Sequence, residues 1–280
     1  MVDALSPVLT LNDGTLMPQL GLGVYKTSDD EATDAVAVAL ENGYRLIDTA
    51  SMYLNEHGVG EGVRRSGVPR DEVFVTTKVW HTDNGYDSTL RSFDESLAAL
   101  GFDYVDAYLI HWPAPLRDRY VDTWRALAAL KAEGRVRSIG VANFHPQHVS
   151  RLIDETGVVP AVNQVELHPW LPQHVLRAFD AELDIVTQAW SPLARGHVLE
   201  PAHGGSVLAR LGEKHGKSPA QIVLRWHVQS GIAVIPKSVT PARIRENIDV
   251  FDFALDSDDL AAIAALETGE RTGVDPDDRN

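Results

Sequence analysis

One alternation dominates the chain. A short apolar run that suits a strand is followed by a loop and an amphipathic stretch that suits a helix, and the unit recurs about eight times in 280 residues. The pattern predicts strands over 20–24, 44–48, 73–78, 105–111, 136–142, 162–166, 184–189 and 232–236. Helices are expected over 30–42, 55–66, 88–100, 121–133, 146–156, 172–181, 219–230 and 241–250, with two more over 206–215 and 257–266. Gly43, Gly67, Gly101, Gly134, Gly157 and Gly231 fall near helix ends, where a left-handed cap is expected. No long Pro/Gly/Ser linker interrupts the series. A (β/α)8 barrel, one domain over 1–280, is the fold this repetition implies. The competing fold is a doubly wound sheet, which normally carries a Gly-rich first turn when it binds a dinucleotide. Gly21-Leu22-Gly23 and Gly58-Val59-Gly60-Glu61-Gly62 come nearest, and neither reads GxGxxG.

Ahead of the first unit, "VLTLNDGTLMP" sets Asp13-Gly14 between two apolar runs, the pattern of a β-hairpin with a two-residue turn. A net charge of −15 argues against nucleic acid as a partner, because phosphate binding needs a basic face. The absence of cysteine excludes disulfides, thiolate catalysis and Cys-based metal sites. The opening "MVDALSPVLTLNDG" shows no basic and apolar leader, and no apolar run is long enough for a membrane span. A cytoplasmic protein is expected, and with no exposed apolar helix demanding a partner, a monomer.

Barrel chemistry sits at the C-terminal ends of the strands. There the sequence places Asp48, Lys78 before Trp80, His111-Trp112, Asn143, Gln164 and Glu166, Trp190-Ser191, and Lys237-Ser238, with Tyr53 close behind Asp48. Each alone has an ordinary explanation: Asp48 as a cap, Lys78 as a surface charge, His111 as a core histidine. Together they suit reduction of a carbonyl, which needs a proton for the oxygen as hydride reaches the carbon. Tyrosine ionises near pH ~10, too high for an efficient acid at neutral pH. A nearby ammonium is expected to lower that value, a carboxylate to hold the ammonium, and a neutral histidine to orient the carbonyl oxygen.

Those residues carry a resemblance. "LIDTASMYLNE", "TTKVW", "YLIHWP", "GVANF", "VNQVELHP" and "IPKSVTPARIRENI" resemble the aldo-keto reductases in order and spacing, from the Asp13-Gly14 hairpin to "VFDFALDSDDL". The chain is most similar to the bacterial 2,5-diketo-D-gluconate reductase group. The resemblance implies a catalytic tetrad of Asp48, Tyr53, Lys78 and His111, with Tyr53 as general acid. It implies NADPH as cofactor, with Asn143 and Gln164 on the carboxamide and Trp190 stacked on the nicotinamide. Ser191 and Leu193 would lie along the pyrophosphate. Lys237, Ser238, Thr240 and Arg243 would take the 2′-phosphate, Glu246 and Asn247 the adenine, with Val239 also among the cofactor-binding residues. Small aldehydes, ketones and dicarbonyls would be the substrates, against a wall of Tyr25, Trp80 and Trp112.

Two positions depart from the family pattern. Ala142 stands where a serine is common, and Leu54 where glycine or a polar residue is common, at what is expected to be the pocket edge. The short polar tail, "TGERTGVDPDDRN", suggests an open site. Three rival readings are a hydrolase using Asp48 and Glu166 as acid and base, a slow NADPH-holding regulatory subunit, and a metal site. The last finds no HExxH, and His145, His148, His168 and His174 fall on separate expected elements, so no metal is expected.

Overall fold

The computed structural model describes residues 5–280. Residues 1–4, the start of the expected domain and of the stretch read for a leader, lie outside the described residues. A hairpin of β1 (Val8–Thr10) and β2 (Leu16–Pro18) comes first, in antiparallel register Thr10–Leu16. Its turn is longer than the expected two residues. Leu11 N–H still bonds Thr15 C=O at 2.9 Å, which leaves Asn12, Asp13 and Gly14 as the loop, with Gly14 at φ 86°. A three-residue loop closes with a glycine in the left-handed region for this reason.

Eight parallel strands follow in sequence order: β3 (Leu22–Gly23), β4 (Leu46–Asp48), β5 (Phe74–Val79), β6 (Val105–Ile110), β7 (Val136–Ala142), β8 (Val162–Glu166), β9 (Val186–Trp190) and β10 (Ala233–Val234). The sheet closes on itself. Gly21 N–H bonds Val234 C=O at 2.9 Å, Gly23 N–H bonds Pro236 C=O at 3.1 Å, and Val234 N–H bonds Gln19 C=O at 2.8 Å. Helices α1 (Asp29–Glu41), α2 (Glu56–Ser66), α3 (Tyr86–Leu100), α4 (Tyr120–Ala132), α5 (Pro146–Thr156), α6 (His174–Glu182), α8 (Pro219–Gln229) and α9 (Pro241–Ile248) alternate with the strands. The extra helices are α7 (Gly205–His215), between β9 and α8, and α10 (Ser257–Ala264), after α9. The expected (β/α)8 barrel is therefore the fold.

Element ends moved where the backbone leaves the ordinary regions. Asp184 has φ 54° and cannot pair, so the seventh barrel strand starts at Val186 and reaches Trp190. Gln173, at φ 54°, delays α6 to His174. The glycines of α2, considered above as a nucleotide motif, do something else. A Cβ on Gly58 would strike the Asp29 carbonyl, and one on Gly60 the Leu100 carbonyl, so they let α2 lie against the start of α1 and the end of α3.

Strand periodicity decides what faces the barrel axis. Leu46, Phe74, Ala107, Leu109 and Val162 point inward low in the barrel, with Leu11 and Met17 of the hairpin plugging that end. Burying the larger of these, the Val, Leu, Met and Phe side chains, stabilises by about 1.5–3 kcal/mol each. The alternate residues, Ile47, Val75, Val79, Tyr108 and Val165, face the helices. Two residues above the inward apolar layer, the same period delivers Asp48 after Leu46. Lys78 follows Phe74 and Thr76, His111 follows Leu109, and Gln164 follows Val162. The polar site is thus the upper layer of the strands that build the apolar core.

Candidate active site

Lys78 and Asp48 are 0% and 2% exposed, and form an ion pair at 2.6 Å from Nζ to Oδ1. Lys78 also donates to the Thr49 carbonyl at 2.8 Å, and Gln164 Nε2 donates to Asp48 Oδ2 at 2.7 Å. Burial pushes the Asp48 carboxyl up and the Lys78 ammonium down from their ordinary values, and each partner's charge opposes that shift in the other. Tyr53 is carried back over this pair by a 3₁₀ turn, Ser51–Tyr53, with Lys78 Nζ 5.3 Å from its ring centroid. The rings of Tyr25 and His111 lie 5.0 and 5.6 Å from Tyr53, and Trp80 lies 5.0 Å from His111. The return loop is pinned by buried Asn55, which accepts from Thr49 Oγ1 at 2.7 Å and donates to the Val24 carbonyl at 2.8 Å.

One expectation about this cluster is corrected. Lys78 was expected to draw the Tyr53 hydroxyl down. Instead burial pushes it well above its ordinary value, and the Asp48 carboxylate and Tyr25 push the same way. The physical reason is first the burial of the hydroxyl, which disfavours phenolate, and then the negative charge of Asp48 beside it. Tyr53 therefore keeps its proton, the state a donor needs. His111 lies well below its ordinary value through burial and the charges of Lys78, Arg279 and His81, so its imidazole is neutral.

Asp48, Tyr53, Tyr25 and His111 line a cavity of about 200 Å³ with Trp80, Trp112, Asn143, Gln164 and Trp190, and Lys78 is not among the lining residues. Trp190 and Lys237 also line a second space of about 700 Å³, which runs past Ser191, Leu193, Ser238, Arg243, Glu246 and Asn247. Trp190 Nε1 donates to Asn143 Oδ1 at 2.8 Å, and Asn143 Nδ2 donates to the His111 carbonyl at 2.9 Å. Both Asn143, at φ 62°, and Ser191, at φ 48°, sit in the left-handed region just past their strands. Among the described residues neither Lys237 nor Arg243 has a carboxylate partner within ion-pair distance.

Some expected residues stand apart. Val239 packs on the hydrophobic core, and Thr240 is the N-cap residue of α9 with its N–H bonded to Ser238 Oγ at 3.1 Å. Leu54 is 86% exposed and does not line the cavity. Sequence reasoning missed Met52, Arg195, Gly273, Val274 and Arg279, all of which line the inner cavity. The tail was expected to leave the site open, yet it crosses the mouth. Arg279 lies 5.0 Å from the Trp80 ring and 5.6 Å from that of Trp112, His145 pairs with Asp275 at 3.1 Å, and His148 pairs with Asp277 at 3.1 Å. The tail brings Asp275 and Asp277 to His145, with potential ligand atoms within 4.8 Å of one another; the pairs fix the tail.

The hydrolase reading loses its groups here. Asp48 is held by Lys78 and Gln164, while Glu166 accepts hydrogen bonds from Thr272 and Gly273. What remains is a tyrosine that keeps its proton, a buried Lys–Asp pair, a neutral histidine and a long adjoining groove with bare cations. The sequence matches the Aldo/keto reductase family over residues 17–268. The chain belongs to the aldo/keto reductase family. An aldo-keto reductase of Mycolicibacterium smegmatis is 54% identical, over 97% of this chain and 98% of that protein. The methylglyoxal reductase DkgA of Yersinia pestis is 52% identical, over 98% of this chain and 97% of that one. The crystal structure of a Gox0644 mutant in complex with NADPH superposes with a TM-score of 0.93 at 47% identity, covering 98% of this chain and 99% of that chain. This aldo/keto reductase therefore shares nearly its whole length with each of them.

Proposed function

We propose that this aldo/keto reductase reduces aldehydes, ketones and small dicarbonyls to alcohols with NADPH, acting as a single-domain monomer in the cytoplasm. The observation that carries this reading is the joining of the two cavities at Trp190, with the Tyr53 cluster in one and unpaired Lys237 and Arg243 in the other. The residues fit the cofactor by their chemistry. In a chain of net charge −15, two cations with no carboxylate at ion-pair distance among the described residues, beside the start of α9, suit a phosphate monoester. Gln164 donates through Nε2 to both Asp48 and Gln188, at 2.7 Å each, and its Oε1 is left to accept from a carboxamide. Asn143 keeps one N–H and one lone pair beyond its bonds to His111 and Trp190.

When bound, NADPH supplies a hydride to the carbonyl carbon. Everything else falls to the chain. Trp190, fixed by Asn143, is the stacking face for the nicotinamide. His111, neutral, donates a hydrogen bond to the carbonyl oxygen and places it beside Tyr53. Tyr53 gives its proton to that oxygen as charge develops. Lys78, held by Asp48 and Thr49, stabilises the phenolate left behind. Tyr25, Trp80 and Trp112 exclude water and shape the carbonyl side, and methylglyoxal, the substrate named for the DkgA relatives, is of the size this cavity takes.

Tyr53→Phe tests the assignment. NADPH affinity, read by fluorescence titration, is expected to stay near wild type, while kcat for methylglyoxal falls by about 10²–10⁴-fold. Retention of full kcat would refute Tyr53 as the acid.

A further inference from the structure

Glu166 is the last residue of β8 and is 1% exposed. A carboxylate this deep needs donors, and among the described residues those it finds include none from Lys or Arg. Its Oε1 accepts from Thr272 N–H at 2.6 Å and from Thr272 Oγ1 at 2.6 Å. Gly273 N–H lies 3.2 Å from Oε1 and 3.1 Å from Oε2, and His168 Nε2 lies 3.1 Å from Oε1. Burial opposes the charge, but the hydrogen bonds from His168 and Thr272 outweigh it and hold the carboxyl below its ordinary range. Four donor groups thus meet the carboxylate, three of them from the tail, crowded on Oε1 with Gly273 N–H shared to Oε2.

The bond puts the tail against Trp190. A Cβ on Gly273 would come within 2.7 Å of Trp190 Cη2 and 3.0 Å of Glu166 Oε2, so only glycine allows the approach. The tail then continues along the cavity through Val274 to Arg279. Its other anchors are Trp170 C=O to Gly269 N–H at 2.8 Å, the His145 and His148 pairs, and Asn280 Oδ1 to Leu116 N–H at 2.7 Å. All of those lie on connecting segments or helices. Glu166 is the anchor that sits on a barrel strand, and it is the direct register partner of Trp190 in the ladder between β8 and β9.

We propose that Glu166 is a positioning residue: its buried carboxylate clasps Thr272 and Gly273, seats the tail on Trp190, and so governs how firmly carbonyl substrate and cofactor are held. Its effect is on binding and release, since it reaches neither Tyr53 nor His111. The role rests on the functional reading above. A glutamine in its place has the same shape but turns one oxygen into a donor that faces other donors.

The test uses the full-length chain and two variants, Glu166→Gln and Thr272→Val. Glu166→Gln is expected to raise KM for methylglyoxal and to speed NADPH release, each by about tenfold, with kcat equal to wild type or higher. Amide exchange at residues 272–280 is expected to accelerate while the β8 amides stay protected. Thr272→Val removes one of the bonds and is expected to move the same quantities less, and the double variant to fall short of the sum. A drop in kcat with KM and tail exchange unchanged would overturn the proposal, as would a released tail with wild-type KM and NADPH release, or strict additivity. If Glu166→Gln does not fold, Thr272→Val alone decides by the same readouts. If the wild type turns over no carbonyl, the functional reading fails separately, and tail exchange with NADPH release still judges the clasp.

Discussion

At the residue scale, the convergence of the candidate-site side chains was legible because strand period and chemistry coincide. Asp48, Lys78 and His111 end the inward faces of neighbouring strands; Asp48 and His111 line one cavity, and Lys78, fully buried, pairs with Asp48. Tyr53 was legible by its company, but its proton affinity was not, because it is set first by burial and then by the Asp48 charge. Arg279 and Gly273 were not legible, because they arrive from an aperiodic tail whose path no pattern encodes. Leu54 was visible as an oddity without a cause, and its backbone supplies the cause. It is the cap of the 3₁₀ turn at φ 56°, with its N–H on the Ser51 carbonyl at 3.2 Å. The left-handed region strains a residue with a Cβ and suits glycine, and an exposed Leu side chain gains little in return. Leu54→Gly is expected to stabilise the protein by about 0.5–1 kcal/mol, the relief of strain exceeding the added freedom of the unfolded chain. Thermal denaturation should show a Tm higher by about 2 °C, and kcat for methylglyoxal should not change, because the side chain does not line the cavity. A lower Tm would mean that the turn carries no strain.

At the scale of elements, the alternation was enough for the order of strands and helices, but their ends were set by single residues. Asp184 and Gln173 take left-handed backbone that propensity does not announce. The same elements hold two buried titratable groups of opposite effect. Asp180 on α6 is raised to about 7 by burial, only partly offset by bonds from Thr187 and Asn163. His227 on α8 is lowered to about 4 by burial, against the pull of the Val223 and Leu167 carbonyls. Unfolded, they titrate near about 3.9 and 6.5. Between about pH 4 and 6.5 the folded state holds one proton more on Asp180, and the unfolded state one more on His227. Asp180 therefore makes stability fall as pH rises, His227 makes it rise, and together they nearly cancel. Asp180→Asn should leave a curve that rises with pH more steeply than wild type, by up to about 1.4 kcal/mol per unit, and His227→Gln one that falls by a comparable amount relative to wild type. Urea unfolding at several pH values in that window checks both. Slopes parallel to wild type in both variants would show that neither group is perturbed in the fold.

At the scale of the molecule, a chain of net charge −15 has to admit a cofactor that is itself an anion. The long-range field opposes the encounter, and only the local cations of the outer groove favour it. The two differ in range. The field of the whole surface is screened as the Debye length shrinks from about 30 Å at 0.01 M salt to about 8 Å at 0.15 M. Lys237 and Arg243 line the groove itself, and in the proposed reading they would act at contact distance on the phosphate, where salt intervenes less. Replacing both with methionine takes the net charge from −15 to −17 and leaves the repulsion unanswered. For the double variant, the NADPH association rate measured by stopped-flow fluorescence should climb with added salt, as repulsion is screened. In the wild type the two effects offset and the rate should change much less, or fall. At fixed salt the variant should lose at least about tenfold in affinity for NADPH, the size of a lost charge-assisted phosphate contact, while NADH, without the 2′-phosphate, loses little. Identical salt profiles for the two proteins, or equal losses for NADPH and NADH, would place the phosphate elsewhere in the groove and return Lys237 and Arg243 to ordinary surface charge.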